Sequence, residues 1–302
     1  MSEFTLLSEK DLNELTKLGF NRRPKFTDYA ILTGCQGFKG DEPAKWLLSS
    51  EIKTNEAIVN ENGLILELGS SHIYPAAVDD KGKITFAEEN KPFYGIRPVT
   101  PMTEDIAQNI KIVKENKDII KLEYGEFPQN VVSEEKKKNL DKKTEEYDFS
   151  KNVKRYKPVI TYYNPANPNN FKIDRIKMPY KEYVLDDKKF VLMVTSRDFL
   201  SVNSILNDKT KVLKDQEYWI EVKSVKWTYY KKLDLMISDK VLFTGEMTLN
   251  KIKDYMYFYE DTDVYKYLNE IFAKDIIPST PEKNLEKSLV KLPKLTEQRH
   301  MR

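Results

Sequence analysis

The hydrophobic pattern of the chain begins with a stretch of helical spacing. Over residues 8–19 three leucines recur at every third position and form one apolar stripe. Ser8 is suited to cap the first turn of a helix, and Gly19 is suited to end it. The pattern therefore predicts a short helix that packs on the rest of the chain through its leucines.

Between residues 26 and 99 the pattern changes to short apolar runs separated by turns. Residues 26–32 fit either a strand or a short helix. Asn62-Gly63 lies between two apolar runs and predicts a tight hairpin, because this dipeptide favours the positive φ angles of such turns. Residues 79–82 predict a second hairpin for the same kind of reason.

The second half of the chain returns to strands and ends in a helix. The pattern predicts a helix start at 103–106, a strand at 119–124 and a hairpin turn at 186–188. In the strand that begins at Tyr218, the alternation changes phase near Lys223-Ser224, which predicts a bulge there. Thr262 is suited to cap a final helix.

A charge run and a tail complete the pattern. The run at residues 133–146, within a charged segment at 133–150, holds five basic and five acidic side chains, so its charges cancel. It predicts an exposed helix or a mobile loop, with a polar partner surface as the alternative. Residues 279–302 lack a clear period and are interpreted as an extended tail.

The overall charge argues against two classes of partner. The chain of 302 residues carries 50 basic and 48 acidic side chains, for a net charge of +2. No global field directs it toward nucleic acid or an anionic membrane. Residues 1–5 lack the basic start of a signal peptide, and no apolar run is long enough to span a bilayer. We therefore expect no nucleic-acid binding, no membrane insertion and no signal peptide.

Few residues offer catalytic chemistry. The chain has two histidines, of which His300 lies in the tail, so a serine-type triad would need His72. His72 is interpreted as a turn residue. Cys35, the single cysteine, excludes an intramolecular disulfide and a multi-thiolate zinc site, and is interpreted as a small buried residue. Gly34, Gly37 and Gly40 match neither a dinucleotide fingerprint nor a phosphate loop.

An acidic cluster at Glu260, Asp261 and Asp263 could attract a cation, but these positions also suit the start of a helix. The helix interpretation is preferred. No zinc, calcium or two-metal spacing is present, so we expect no metal and no cofactor.

Aromatic residues are concentrated in the second half of the chain. Without an accompanying basic stripe they indicate core packing rather than stacking on bases. Tyr255, Tyr257 and Tyr259 alternate, and we expect them to face outward as a contact surface for sugar or protein. The set expected to pack in the core or at an interface is Tyr218, Trp219, Trp227, Tyr229, Tyr230, Tyr255, Tyr257, Phe258, Tyr259, Tyr265 and Tyr267.

Several short phrases, taken together, resemble the C-type-lectin-like domain of the formylglycine-generating-enzyme type. The likeness is to a branch found in gut bacteria and their tailed phages. The first group resembles its closing half, and the second resembles its opening half. The first group is Trp46-Leu-Leu-Ser-Ser50, Asn60-Glu-Asn-Gly63 and Gly95-Ile-Arg-Pro98. The second is Glu123-Tyr-Gly-Glu-Phe-Pro-Gln129, Val225-Lys-Trp227, Leu235-Met-Ile-Ser238 and Tyr267-Leu-Asn269.

The resemblance implies an α+β, strand-rich, C-type-lectin-like fold with a few short helices. Because the closing phrases come first, the fold is either circularly permuted or built from two lobes. The implied division is a lobe at 1–102, a second lobe at 103–278 and the tail at 279–302. Trp46, Gly95, Arg97, Pro98 and Trp227 are expected to be structural residues of the motif, with Arg97 tying loop carbonyls or a buried carboxylate.

The resemblance does not bring the family's activities with it. The chain has a single cysteine where the enzymes use a pair. Glu42-Pro43 is followed by Ala44, so the calcium-sugar loop is incomplete.

We therefore expect a non-enzymatic structural or surface-display protein of a phage virion, made in the host cytoplasm. Its expected partners are neighbouring virion subunits, in an oligomer or larger assembly, and a host glycan or surface protein. Two alternatives remain. One is a cytoplasmic hydrolase or modifying enzyme that uses acidic residues or His72, and the other is a bacterial surface adhesin.

Overall fold

The structure is strand-rich with a few short helices, which agrees with the α+β class that the resemblance implied. Within the described residues there are two open multi-stranded sheets and two small strand pairs. The structure is a computed structural model. It describes residues 3–34, 42–54, 58–59, 65–67, 72–87, 94–145, 159–162, 174–177, 180–194, 204–214, 216–245 and 259–276.

The helices are short, and most begin at a residue whose side chain accepts a backbone N–H. Ser8, Thr27, Thr103 and Thr262 each accept the N–H of the third residue after them. Such caps stabilise a helix by about 1 kcal/mol each. The helices predicted after Ser8, Thr103 and Thr262 are confirmed, and the segment after Thr27 is helical. The helices are α1 (Glu9–Lys17), α2 (Asp28–Leu32), α3 (Glu104–Asn109), α4 (Glu134–Glu145), α5 (Asp263–Tyr267) and α6 (Ala273–Asp275).

The strands are distributed over the whole described chain. A 3-10 turn at Tyr259–Asp261 and a π-helical turn at Leu268–Phe272 flank α5. The strands are β1 (Trp46–Thr54), β2 (Ile58–Val59), β3 (Ile65–Glu67), β4 (His72–Val78), β5 (Ile84–Phe86), β6 (Tyr94–Ile96), β7 (Val99–Thr100), β8 (Lys111–Glu115), β9 (Ile119–Val131), β10 (Val159–Tyr162), β11 (Asp174–Lys177), β12 (Tyr180–Leu185), β13 (Lys188–Val194), β14 (Glu217–Tyr230), β15 (Leu235–Ser238) and β16 (Phe243–Gly245).

The larger sheet is built around the long strand β14. On one side, β14 pairs with β9 over eleven residue pairs, and β9 in turn pairs with β8. On the other side, β13 pairs with the first half of β14, and β12 lies beyond β13. β15 pairs with the second half of β14, and β7 pairs with β15. Of the aromatics expected to pack in the core or at an interface, the five that lie in β14 are all buried.

The smaller sheet has the strand order β16-β6-β1-β4-β5. Its strands β1, β4, β5 and β6 come from the first third of the chain, while β16 comes from the second half. β6 lies parallel to β1, with Trp46 opposite Gly95. The hairpin predicted at residues 79–82 is confirmed as the β4–β5 connection. The turn at Asn62-Gly63 lies outside the described residues, although β2 and β3 on either side of it do pair.

Both sheets contain strands from both segments of the chain. β6 and β7 belong to the expected lobe at 1–102, yet they pair with β16 and β15 of the expected lobe at 103–278. One main core also includes buried residues from both segments. The expected boundary therefore does not coincide with a division between sheets. The tail at 279–302 lies outside the described residues.

The predicted bulge is present, but its extra residues lie in the partner strand. The β9–β14 ladder is irregular between Glu221 and Val222 and again between Ser224 and Val225. At both places β14 continues without interruption, while one residue of β9 has no register partner. These residues are Gln129 and Gly125, and Gly125 has a φ of 67°. The phase shift in β14 therefore indicated where the ladder is irregular but not which strand carries the extra residues.

Helix α4 resolves the interpretation of the charge run. Residues 134–145 are helical, which confirms the helix and corrects the expectation of a charged loop for this part of 133–150. Its Leu140 joins a small second core with Trp219. The Trp219 indole N–H donates to one oxygen of Asp141 over 2.7 Å, and the Lys137 ammonium donates to the other over 2.7 Å. One acid of the run is therefore used to fix the helix to the sheet.

Candidate functional site

The structural residues expected from the sequence meet at a buried arginine. The Arg97 side chain, between β6 and β7, is 3% exposed. Its Nε donates to the Ser238 carbonyl over 2.7 Å, and Nη1 donates to the Asn21 carbonyl over 3.1 Å. The two carbonyls belong to segments more than two hundred residues apart in sequence. Of the two partners expected for Arg97, the loop carbonyls are confirmed.

The guanidinium of Arg97 also packs on aromatic rings. Its central carbon lies 4.5 Å from the centroid of the Phe20 ring and 5.3 Å from that of the Trp46 ring. At this distance an aromatic face stabilises a cation. Burial lowers the pKa of Arg97 to about 10, and the negative charge of Asp239 opposes this effect. Arg97 therefore stays charged at neutral pH, and its charge is stabilised by carbonyl oxygens and aromatic rings within the protein.

Trp46 and Gly95 bring two strands into close contact beside Arg97. The Trp46 indole N–H donates to the Arg22 carbonyl over 3.0 Å, and the Gly95 N–H donates to the Lys45 carbonyl over 2.8 Å. A Cβ on Gly95 would lie 2.6 Å from a methyl carbon of Val241. Gly95 is not one of the described glycines with a positive φ, so glycine is required here by the close approach of its neighbours.

Pro98 completes the connection to the larger sheet. Its carbonyl accepts the Ser238 N–H over 3.2 Å, next to the Ser238 carbonyl that Arg97 binds. Ser238 is also the register partner of Trp227 in the ladder between β14 and β15. We use the name Arg97 junction for Trp46, Gly95, Arg97, Pro98 and Ser238.

Trp227 fixes the bulge in β9. Its indole N–H donates to the Tyr124 carbonyl over 2.9 Å. The next residue, Gly125, has no room for a side chain, because a Cβ there would lie 2.4 Å from the Ile276 carbonyl oxygen. That carbonyl accepts the Glu126 N–H over 3.0 Å. The bulge is therefore the place where the last described helix approaches β9.

Two residues whose roles the sequence did not reveal have amide side chains. Gln129, the second extra residue of β9, donates through Nε2 to the Lys223 and Ser224 carbonyls over 3.1 and 2.9 Å. Asn269, in the π-helical turn, accepts the Phe4 N–H over 3.0 Å and donates to the Phe4 carbonyl over 2.9 Å. Gln129 and Asn269 are the last residues of two of the phrases that carry the resemblance. Their place in those phrases was the sign in the sequence that they have a structural role.

The expected contact surface receives a correction at Tyr259. Its side chain is 8% exposed, and its hydroxyl accepts the Leu6 N–H over 2.9 Å. The expectation that Tyr259 faces outward is therefore wrong, because the residue lies in a 3-10 turn and not in an alternating strand. Tyr255 and Tyr257 lie outside the described residues, so their role as a contact surface stays a prediction.

Of the histidine and cysteine residues considered for catalysis, the structure describes only the backbone of His72. His72 is the first residue of β4, with Thr54 as its register partner, which corrects its interpretation as a turn residue. Cys35 and His300 lie outside the described residues, as do Gly37 and Gly40. Across the described ranges, no group of three or more His, Cys, Asp and Glu side chains is placed to hold a metal ion.

One small recess lies beside α4. It has a volume of about 50 Å³ and is lined in part by Glu134, Lys137, Asp208, Glu217 and Tyr218. The Tyr218 hydroxyl accepts the Leu213 N–H over 3.0 Å, and burial raises the pKa of Tyr218. A space of this size holds one or two water molecules. The recess is therefore too small to enclose a cofactor.

Comparisons with known proteins add no relative. Neither the protein-family models, nor the curated proteins, nor the solved structures gave a match to this chain. A search for membrane spans found that none of the helices in the described ranges has the length and apolar character needed to cross a bilayer.

Proposed function

We propose that this chain is a non-enzymatic structural or surface-display protein of a phage virion with a C-type-lectin-like fold. In this role it docks to neighbouring virion subunits and presents loops to a host glycan or surface protein. The protein is made in the host cytoplasm and works as part of a larger assembly.

The observation that supports this proposal is the use of the phrase residues in the Arg97 junction. Trp46, Gly95, Arg97 and Pro98 all make contacts within the protein, and Arg97 directs its charge to two carbonyls and two rings. Trp227 holds the neighbouring bulge in the same way. These are the roles of residues that make a rigid scaffold, and a rigid scaffold that displays loops suits a binding or assembly protein.

The test is the location of the protein after infection. Particles are purified by density gradient from a culture that produces the chain, and their proteins are quantified by mass spectrometry. We expect a fixed number of copies per particle that survives washing in high salt. Abundance in the cytosol of infected cells, without enrichment in particles, would overturn the proposal.

A second measurement separates the proposal from the hydrolase alternative. The protein and its His72→Ala variant are compared for turnover of ester, glycoside and phosphate substrates. We expect no turnover by either protein. Turnover that His72→Ala abolishes, in a variant with unchanged unfolding, would replace the proposal with the enzyme.

A further inference from the structure

Helix α4 lies over a small core that is separate from the main core of the described residues. Alternate residues of a strand face opposite sides of a sheet. Val191 of β13 and Ile220 of β14 belong to the main core. The residues before them in sequence, Phe190 and Trp219, belong to the small core, which therefore lies on the other face of the larger sheet. The buried members of the small core are Val132, Leu140, Tyr183, Leu185, Phe190 and Trp219.

The helix contributes little apolar surface to this small core. Leu140 is the one aliphatic residue among the twelve of α4. The sheet contributes larger side chains, and the ring centroids of Tyr183 and Trp219 lie 4.8 Å apart. The apolar attachment of α4 to the sheet therefore depends mainly on Leu140. An isolated helix of this length is marginal in water, so α4 needs that attachment to stay folded.

Polar contacts supply the rest of the attachment. The Lys136 ammonium donates to the Glu221 carboxylate over 3.0 Å and lies 4.9 Å from the centroid of the Phe190 ring. Near the other end of the helix, Lys143 binds Asp186, whose side chain is 75% exposed. Water and salt screen ion pairs of this kind, so these contacts hold the helix only weakly.

The first turn of α4 is not fully packed on the sheet. The recess of about 50 Å³ described above is lined by Glu134 and Lys137 of the helix and by Trp219 of the sheet. A space of this size holds water and not a side chain. The end of the helix that follows β9 therefore adds little to the attachment.

We propose that α4 is a cover that opens as a unit while the two sheets stay folded. The core beneath it is separate from the main core, and regions with few buried apolar contacts open at a lower free energy than the rest of a fold. Opening breaks the hydrogen bond between Trp219 and Asp141. It exposes the rings of Tyr183, Phe190 and Trp219 on one face of the larger sheet, so any partner of these rings binds the open state. This inference does not rest on the proposed function, because it concerns the fold alone.

The three indole N–H groups of the chain provide the test. Trp219 donates to Asp141 of α4, whereas Trp46 and Trp227 lie in the main core and donate to backbone carbonyls. The complete chain is labelled with 15N-tryptophan, and hydrogen exchange of each indole is followed by NMR in urea below the unfolding transition. We expect the Trp219 N–H to exchange at least about a hundredfold faster than that of Trp227. Its rate should also depend less on urea, because opening of α4 exposes less surface than global unfolding does.

Two variants separate opening of α4 from global unfolding. Ile120→Val removes one methyl group from the main core and should speed exchange at Trp227 about fivefold. Exchange at Trp219 should stay unchanged in this variant, because the main core remains closed when α4 opens. Leu140→Ala should speed exchange at Trp219 about thirtyfold.

Three results would overturn the proposal. The first is equal exchange at Trp219 and Trp227 in the original protein, and the second is an equal effect of Ile120→Val on both indoles. Either result would mean that α4 opens only with the whole fold. The third is a Trp219 rate that Leu140→Ala leaves unchanged, which would mean that the indole is exposed by a motion that does not involve α4.

Discussion

Replacing Gly95 by alanine should destabilise the protein, because the Arg97 junction has no space for a Cβ. That atom would lie 2.6 and 2.9 Å from the two γ-methyl carbons of Val241, and 3.0 Å from the Lys45 carbonyl oxygen. Optimal contact between carbon atoms is about 3.5–4.0 Å. Val241 is fully buried and β-branched, so a rotation that moves one methyl away brings the other closer.

The size of the effect follows from these contacts. Overpacking of this kind costs about 1–3 kcal/mol in the free energy of unfolding. Val241→Ala alone removes two buried methyl groups and should cost about 2 kcal/mol. In the double variant the new methyl group at position 95 fills part of the space that Val241 leaves. We therefore expect the two costs to be non-additive, with a coupling free energy of about 1 kcal/mol or more.

The assay is urea unfolding, monitored by tryptophan fluorescence, of the original protein, Gly95→Ala, Val241→Ala and the double variant. Gly19→Ala serves as the control, because Gly19 has a φ of 79° and a Cβ added there would have no neighbouring atom within 4 Å. The cost of Gly19→Ala in the free energy of unfolding comes from backbone strain, so adding Val241→Ala should not reduce that cost. Additive costs in the Gly95–Val241 pair, or a Gly95→Ala protein as stable as the original, would refute the reasoning.

Three further predictions concern the neighbouring contacts. Arg97→Lys should lower the free energy of unfolding by about 2–3 kcal/mol, since Arg97 reaches the two carbonyls through two separate nitrogens of a planar fork that lysine lacks. Urea unfolding measures this, and a loss under about 0.5 kcal/mol, which is the error of such comparisons, contradicts it. Gly125→Ala should cost about 3 kcal/mol or more, because the new Cβ meets the Ile276 carbonyl in a backbone conformation that alanine rarely adopts; thermal unfolding checks it, and an unchanged midpoint contradicts it. Burial raises the pKa of Asp141, but the hydrogen bonds from Lys137 and Trp219 outweigh burial and lower this pKa below its usual value. The ionised Asp141 therefore stabilises the fold above about pH 4, and this stabilisation is lost as the pH falls through the lowered pKa. Asp141→Asn should therefore be less stable than the original protein at about pH 7 and equally stable at about pH 2, as urea unfolding at the two pH values would measure; a difference that persists in acid contradicts this.

Local features of the fold could be predicted from the sequence. The caps at Ser8, Thr103 and Thr262 depend on a few consecutive residues, and so do the hairpins at residues 79–82 and 186–188. In the second hairpin, Asp186 and Asp187 have φ angles of 51° and 58°, which aspartate tolerates better than most residues. Such signals are contained in one window of the chain, so no knowledge of distant partners is needed.

Features that depend on distant partners could be predicted only in part. The structural use of Arg97 was expected, but its two carbonyls were not identifiable, because they belong to segments that meet only in the folded sheets. The position of the bulge was predicted on the wrong strand for the same reason.

The hydrogen bonds between Phe4 and Asn269 have a consequence for synthesis. The backbone of Phe4 is bound by a side chain 265 positions later, and Leu6 is bound by the hydroxyl of Tyr259. A ribosome adds about 5–20 residues each second, so the first segment emerges well over ten seconds before its partners do. During that interval the apolar side chains of Phe4 and Leu6 lack their final neighbours. This part of the core therefore closes only after residues 259–269 have been synthesised, so folding of the first segment waits for a late part of the chain.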